Sequence, residues 1–567
     1  MKRFLQWLED RTAYRKLLGA ALDEPVLGGA SWAYVFGSAL AFLFVLQAVT
    51  GVLMALYYSP SSREAWGSVY FFSHVIRFGW FVRGLHHFGS SAMVVLLIAH
   101  MFQVFIFGAD RPPRELSWWT GVVLLFTALA FSLTGYLLPW DQKGYWATGV
   151  VTSIIGTFPL IGHSIQHVFQ GGNGLGNLTL TRFFGFHVFF LPAVLTAMLV
   201  SHIYFFRRNG VTPKWWQSQP DQVARSEPFW PRQLTYDLLF SFLILGVLVT
   251  ITLSEHGAPL DAPADPSSHY LARPEWYFLW LFEMLKVVPG KWEGAFVLAF
   301  VVAGVSFLLA LPLVDRSVER SFRARWPHFV VASIFGGTVA ALTVNPLVRD
   351  ARDPAVRIQK QQAEASAKSA FMLAAKGIPP GGSDQLYLND PRSRGAHLFA
   401  QQCEACHTGP DGKGGDTAPI LRGYLTRDWV RGVINDPTTP AYFGRTKMKT
   451  MQPPDATSAE IDELTTYVMS LGGRAQAPPG GPKLFEVQSC HSCHPLAGEP
   501  PHIGPSLAGY GSRAWIVGAI LHSGDATYYG DSNAMPSFSG KLNDEQVDDL
   551  LAYLVPQVES PVGSLRK

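Results

Sequence analysis

The sequence predicts an all-α protein: a seven-helix bundle crossing a membrane, followed by two small helical domains outside it. Three observations carry this expectation. Long apolar stretches recur through roughly the first 350 residues, the remainder reads as soluble protein, and that remainder repeats itself once. At 567 residues the chain is too long for a single domain. Charged residues make up 15% and hydrophobic ones 48%, where a soluble protein would carry roughly 25% charged. A net charge of +3 gives no reason to expect a nucleic-acid partner.

Runs long enough to span a bilayer lie at about 32–57, 88–108, 116–138, 183–206, 238–254, 294–314 and 328–348. The fifth is the shortest. Lys and Arg divide unevenly between the connecting loops. Sixteen fall on the side of the N-terminus, from Lys2, Arg3, Arg11, Arg15 and Lys16 onward; eight, including Lys143 and Lys291, fall on the other. The positive-inside rule then makes the N-terminus cytoplasmic and, after seven crossings, the C-terminal part extracytoplasmic. Met1–Lys16 is basic and amphipathic without an apolar cleavable core, so it does not read as a signal peptide. A bacterial cell membrane is the expected location.

All four cysteines sit in two pairs, Cys403/Cys406 and Cys490/Cys493, each followed by a histidine. Two disulfides or a zinc site would explain pairs alone. The sequence C-x-x-C-H, present twice, instead points to covalent c-type haem, with His407 and His494 as proximal ligands. Methionine commonly supplies the sixth ligand. Met535 is the candidate for the second haem; for the first, Met451 is preferred, with Met448 nearly as well placed. "CEACH" recurs as "CHSCH", "GYLTRDW" as "GYGSRAW", and "AYFG" as "TYYG", so one duplication accounts for domains at 393–473 and 478–560. Residues 350–392, rich in Ala, Lys, Gln, Pro and Gly, read as a linker with room for one helix.

Within the membrane part, histidines are costly and therefore functional candidates. His86 and His100 are 14 apart on the second span, His187 and His202 15 apart on the fourth. These separations rise about 21 and 22.5 Å and return to nearly the same helix face. Any one of them alone could be a hydrogen-bonded core histidine. As pairs on facing helices, His86 with His187 and His100 with His202, they can hold two haem irons at two depths. Gly37 and Gly51 on the first span, and Gly121 and Gly135 on the third, repeat the 14-residue spacing. Small residues at helix contacts explain a single glycine; four at this spacing favour clearance for flat macrocycles.

Several stretches together resemble cytochrome b of the cytochrome bc complexes, chiefly its chloroplast-type and bacterial forms. They are "RGLHHFGSSAMVVLLIAH" (83–100), "PRELSWWTGVVL" (113–124), "TGYLLPWDQKGYWA" (134–147), "LTRFFGFH" (180–187) and "PEWYFLW" (274–280). The resemblance covers roughly residues 1–350, divided as a four-helix part (1–215) and a three-helix part (216–349). It implies two non-covalent b-type haems beside the two covalent c-type ones. It also implies quinol oxidation at the outer side, with Glu275 as proton acceptor and Tyr277 as its companion. Taken alone, these two residues would read as a solvated loop carboxylate and an interfacial anchor. Arg83 and Arg182 are candidates for the outer haem's propionates, and Arg207 for an inner propionate or quinone. Further implications are a separate Rieske iron–sulfur subunit, membrane quinol and quinone, and a homodimer; the fusion of c-type domains on the outer side points to a soluble cytochrome c or terminal oxidase as acceptor. The chloroplast type holds an extra haem through a first-span cysteine; here Val35 stands near that position, which excludes a covalent one. A conduit or anchor for another dehydrogenase, and a reverse cytochrome-to-quinone enzyme, remain open on sequence grounds.

Overall fold

The computed structural model describes residues 2–14, 16, 19, 22–216, 219–266, 268, 270–271, 273–287, 290, 292–316, 319–446, 451–496, 503–529 and 533–555. Arg15, Lys291, Met448, Gly530 and residues 556–560 lie outside these. The chain divides into two compact units, Met1–Ala375 with Pro380–Asp384, and Lys376–Pro379 with Gln385–Lys567. Among the described residues the only paired strands are Pro25–Val26 and Glu227–Pro228.

The first unit holds seven helices long and apolar enough to cross a membrane: Trp32–Ala55, Gly79–Ile106, Glu115–Leu137, Asn177–Asn209, Arg232–Ser254, Glu293–Val314 and Trp326–Arg352. The second, fourth and fifth start earlier than their apolar runs. Arg83, His86 and His87, or Arg232 and Gln233, lower the hydropathy of a helix end without breaking it. Span one packs on span two, three on four, five against one and two, and six against three. Leucines and alanines fill the first of these seams, with Ala39, Leu43, Leu85, Leu96 and Leu248 buried together.

The fourth span is not a uniform α-helix. Phe186–Phe190 forms a π turn, and Leu191 N–H reaches back five residues to the Phe186 carbonyl. Pro192 has no N–H to donate to Val188, which suits this break. A π turn inserts one residue without a matching advance along the helix. The 15-residue histidine spacing here therefore matches the 14-residue spacing elsewhere.

A buried charge cluster ties the loop after span two to the loop after span six. Arg325 donates to Asp315 (2.5 Å), to Asp110 (3.2 Å) and to the Phe105 carbonyl (2.6 Å), with all three charged side chains fully buried. Burial pushes the Asp110 carboxyl up to about 6, against the pull of Arg325. Arg325→Met strands two buried carboxylates, so it is expected to destabilise the membrane unit by about 3–5 kcal/mol, readable as a lower detergent-melting midpoint.

Beyond span seven, Pro354–Ala374 is a helix, capped by the Asp353 side chain accepting from Ala355 N–H. It buries Ala367, Ala370 and Ala374, and Phe371 joins the stacked rings of Trp66, Tyr70 and His74. Its composition reads as linker because small alanines do the packing.

In the second unit a single core runs through both repeats, including Phe399, Trp429 and Tyr467 of the first and Phe485, Trp515 and Tyr553 of the second.

Candidate functional site

The two histidine pairs meet. His86 and His187 ring centroids lie 6.3 Å apart, and those of His100 and His202 lie 6.5 Å apart. Each of the four glycines stands against a different one of these histidines. A Cβ at Gly135 would lie 2.6 Å from His187 Cε1, at Gly51 3.2 Å from His86, at Gly121 3.4 Å from His202, and at Gly37 3.7 Å from His100.

Three of those glycines follow a threonine that orients the histidine. Thr50, Thr120 and Thr134 lie 2.9, 3.0 and 3.1 Å from Nδ1 of His86, His202 and His187. Each hydroxyl donates to a carbonyl one turn back, that of Leu46, Leu116 or Ala130. Its oxygen is thus left to accept from Nδ1–H, which leaves Nε2 without a proton and able to ligate. Before Gly37 stands Phe36, and His100 Nδ1 has no hydrogen-bond partner among the described residues. At these three glycines the sequence reads "TG"; the expectation drawn from it went no further than the glycines. Facing imidazoles, cleared neighbours and a fixed tautomer fit b-type haem.

The arginines behave otherwise. Arg83 donates to the carbonyls of Ala258 (2.9 Å) and Pro259 (2.6 Å), Arg182 to that of Val168, and Arg207 pairs with Glu24 at 3.1 Å. Sequence reasoning also passed over Asp237, a 3%-exposed carboxylate inside span five. It accepts from Ser38 (2.6 Å), beside Gly37, and from Gln233 (2.8 Å). An ionisable group within a span was the signal.

Glu275 precedes the short turn Trp276–Phe278. Its carboxylate accepts from Lys143 Nζ at 2.9 Å, and that ammonium also lies 5.5 Å from the Tyr136 ring centroid. Lys143 belongs to the helix Gln142–Gly156, so the pair joins two segments that are distant in sequence. Asp141 caps that helix and ties it to Asp261, earlier in the same loop as Glu275. One of its oxygens accepts from Gly144 N–H at 2.8 Å and the other from Asp261 N–H at 3.1 Å. Burial pushes its carboxyl up to about 6, with Asp261 adding to the effect. Tyr277 is buried, its hydroxyl against those of Ser90 and Ser132. Burial first, and the Glu275 charge second, raise it above the usual tyrosine range.

In the second unit Cys403, Cys406, Cys490 and Cys493 are all free thiols, so the two-disulfide alternative falls away. His407 Nδ1 lies 2.8 Å from the Pro419 carbonyl and His494 Nδ1 2.9 Å from that of Pro505. Both imidazoles are held below their ordinary pKa by burial, which keeps them neutral as ligation requires. Met535 is pinned by Ser523 Oγ donating to its carbonyl at 2.8 Å. Met451 is half-buried in a stretch outside any helix or strand.

The four cysteines are not enclosed equally. Cys403 and Cys490 are half-buried and packed against the core of the unit, and burial pushes the Cys403 thiol up to about 11. Cys406 is instead exposed, and Cys493, though half-buried, is not packed against that core. Cys403 caps the opening helix, and Cys406 closes the turn after it, with Cys406 N–H donating to the Cys403 carbonyl at 3.1 Å. Cys490 likewise begins the short turn that Cys493 closes, by an N–H bond of 3.2 Å back to the Cys490 carbonyl. The first thiol of each pair thus packs against the core. Free thiol pairs beside a histidine whose Nδ1 is already engaged fit c-type haem.

Seven spans carrying paired histidines, followed by a unit with two haem-attachment sequences, define a multi-pass membrane cytochrome with b-type and c-type parts. Family models agree: "Cytochrome b/b6/petB" matches residues 22–210 and "Cytochrome b(C-terminal)/b6/petD" residues 263–358. "Cytochrome C oxidase, cbb3-type, subunit III" matches 390–468 and again 476–554. Cytochrome b6 of Cyanidium caldarium is 36% identical over 212 residues, 37% of this chain and 99% of that protein. Cytochrome b6 of Acaryochloris marina is 35% identical over the same lengths. A solved structure described as "Hyperthermophilic respiratory Complex III" superposes with a TM-score of 0.53 at 28% identity, covering 65% of this chain and 97% of that one. The chain belongs to the cytochrome b/b6 family, with a c-type cytochrome part at its C-terminal side. It is a bc-type electron-transfer subunit.

Proposed function

We propose that the chain is the cytochrome b/c subunit of a quinol:cytochrome c oxidoreductase in a bacterial cell membrane, coupled to proton translocation. The carrying observation is the Glu275–Lys143 pair, which sets a carboxylate against the helix Gln142–Gly156, two residues before buried Tyr277. A quinol hydroxyl there would give its proton to Glu275, which can hand it outward. His86/His187 and His100/His202 would hold two b-type haems. Cys403 with Cys406, and Cys490 with Cys493, would attach two c-type haems. When bound, these groups supply electron paths across the membrane and outward. With all four cysteines assigned, the Rieske cluster belongs to a separate subunit. The acceptor is a soluble cytochrome c or a terminal oxidase, the complex is a homodimer, and the N-terminus is cytoplasmic. Toward that inner side, buried Asp237 and the Arg207–Glu24 pair are placed to supply protons or charge to a quinone.

Rapid mixing of the oxidised complex, its Rieske subunit included, with quinol tests this reading. Equal amounts of b-type and c-type haem should become reduced in the first turnover. Reduction of b-type haem alone identifies a conduit for another dehydrogenase instead.

A further inference from the structure

Two successive domains, each folded on itself, would pack the opening helix of each repeat against that repeat's own closing helix. The described structure does otherwise. The opening helix of the first repeat, Pro391–Gln402, lies across Asp544–Leu554, the closing helix of the second. Arg394 grips Asp549 with two hydrogen bonds of 2.7 and 2.8 Å. Phe399 and Tyr553 ring centroids are 5.5 Å apart, and a Cβ at Gly395 would sit 1.9 Å from the Asp549 carbonyl oxygen.

The reciprocal crossing repeats the aromatic pair and the close glycine approach, while Gly480 and Glu463 stand where the first crossing has Arg394 and Asp549. The opening helix of the second repeat, Gly481–Val487, meets Ser458–Leu471, the closing helix of the first. Phe485 and Tyr467 centroids are again 5.5 Å apart, and a Cβ at Gly481 would lie 2.8 Å from Tyr467 Cβ. Gly395 and Gly481, Phe399 and Phe485, and Tyr553 and Tyr467 occupy equivalent places in the two repeats. Glycine in each opening helix permits the close approach that the crossing needs. Tyr553 reaches past the helix to the loop after the first attachment sequence, hydrogen-bonding the Asp411 side chain.

We infer that the two c-type sites are interlocked: each is attached by one repeat, and its attachment helix is braced by the closing helix of the other. Tyr553 is thus a positioning residue for the Cys403/Cys406/His407 site, and Tyr467 for the Cys490/Cys493/His494 site. The inference rests on c-type attachment and not on quinol oxidation.

Two experiments on the full chain test it. In the first, a protease site is inserted between Gln476 and Ala477, in the exposed join between the repeats, and cut under native conditions. The C-terminal fragment should remain with the membrane fragment through detergent gel filtration at high salt. Its release as a separate species with an intact c-type spectrum overturns the inference. In the second, mass spectrometry of haem-bearing peptides reports each attachment separately. Tyr553→Asp should lower haem on the Cys403–His407 peptide several-fold more than on the Cys490–His494 peptide, Tyr553→Phe should restore it, and Tyr467→Asp should give the mirror result. No change at the first peptide, or a Tyr553→Asp loss confined to the second, overturns it.

Discussion

Glu275→Gln is expected to lower quinol:cytochrome c turnover by about 10²–10⁴-fold, the range a positioned proton acceptor supplies. Gln keeps the shape and can accept a hydrogen bond from Lys143, but it cannot take up the quinol proton. The contact recorded for the carboxylate is Lys143 at 2.9 Å, not a histidine ligand, so b-type haem content should be unchanged. That separation matters because it divides loss of chemistry from loss of cofactor. Turnover at the wild-type rate in the variant would remove Glu275 from the mechanism.

Gly135→Val should cost the protein one of its two b-type haems. A Cβ there already comes within 2.6 Å of His187 Cε1 and 3.1 Å of Nδ1. Valine adds two further methyl groups, and the ring must turn away from Thr134, which holds its Nδ1 at 3.1 Å. Overpacking alone costs about 1–3 kcal/mol, and the ligand geometry is lost with it. The effect should be graded: Gly37→Ala, where the Cβ would stand 3.7 Å from His100, is expected to keep both haems. Pyridine haemochrome spectra of the two purified variants check this. Full b-type content in Gly135→Val would contradict the clearance argument.

The membrane half was largely legible because its constraints are periodic. Histidines and glycines at 14-residue spacing announce two depths on four helices, and the structure brings each histidine to its expected partner and each glycine to one histidine. The one irregular spacing, 15 residues in the fourth span, needed the π turn at Phe186–Phe190, which hydropathy does not register. The arginines were less legible, since a long side chain can reach several acceptors. Arg83 finds the carbonyls of Ala258 and Pro259.

The crossing of the c-type repeats could not be read from sequence at all. Gly395 with Phe399, and Gly481 with Phe485, offer the same surface to a closing helix. Composition and period are therefore identical whether that helix comes from the same repeat or from the other. Only the fold distinguishes them, through pairs such as Arg394 with Asp549. The same holds within each attachment sequence. Spacing alone makes the two cysteines of a pair equivalent, while in the fold it is Cys403 and Cys490 that pack against the core.

The central claim is that one chain carries two b-type haems within the membrane and two c-type haems beyond it. Redox-titrated visible spectra of the purified chain, calibrated by pyridine haemochrome against protein concentration, test it most directly. Two b-type and two c-type haems per chain are predicted, and any other count contradicts the account.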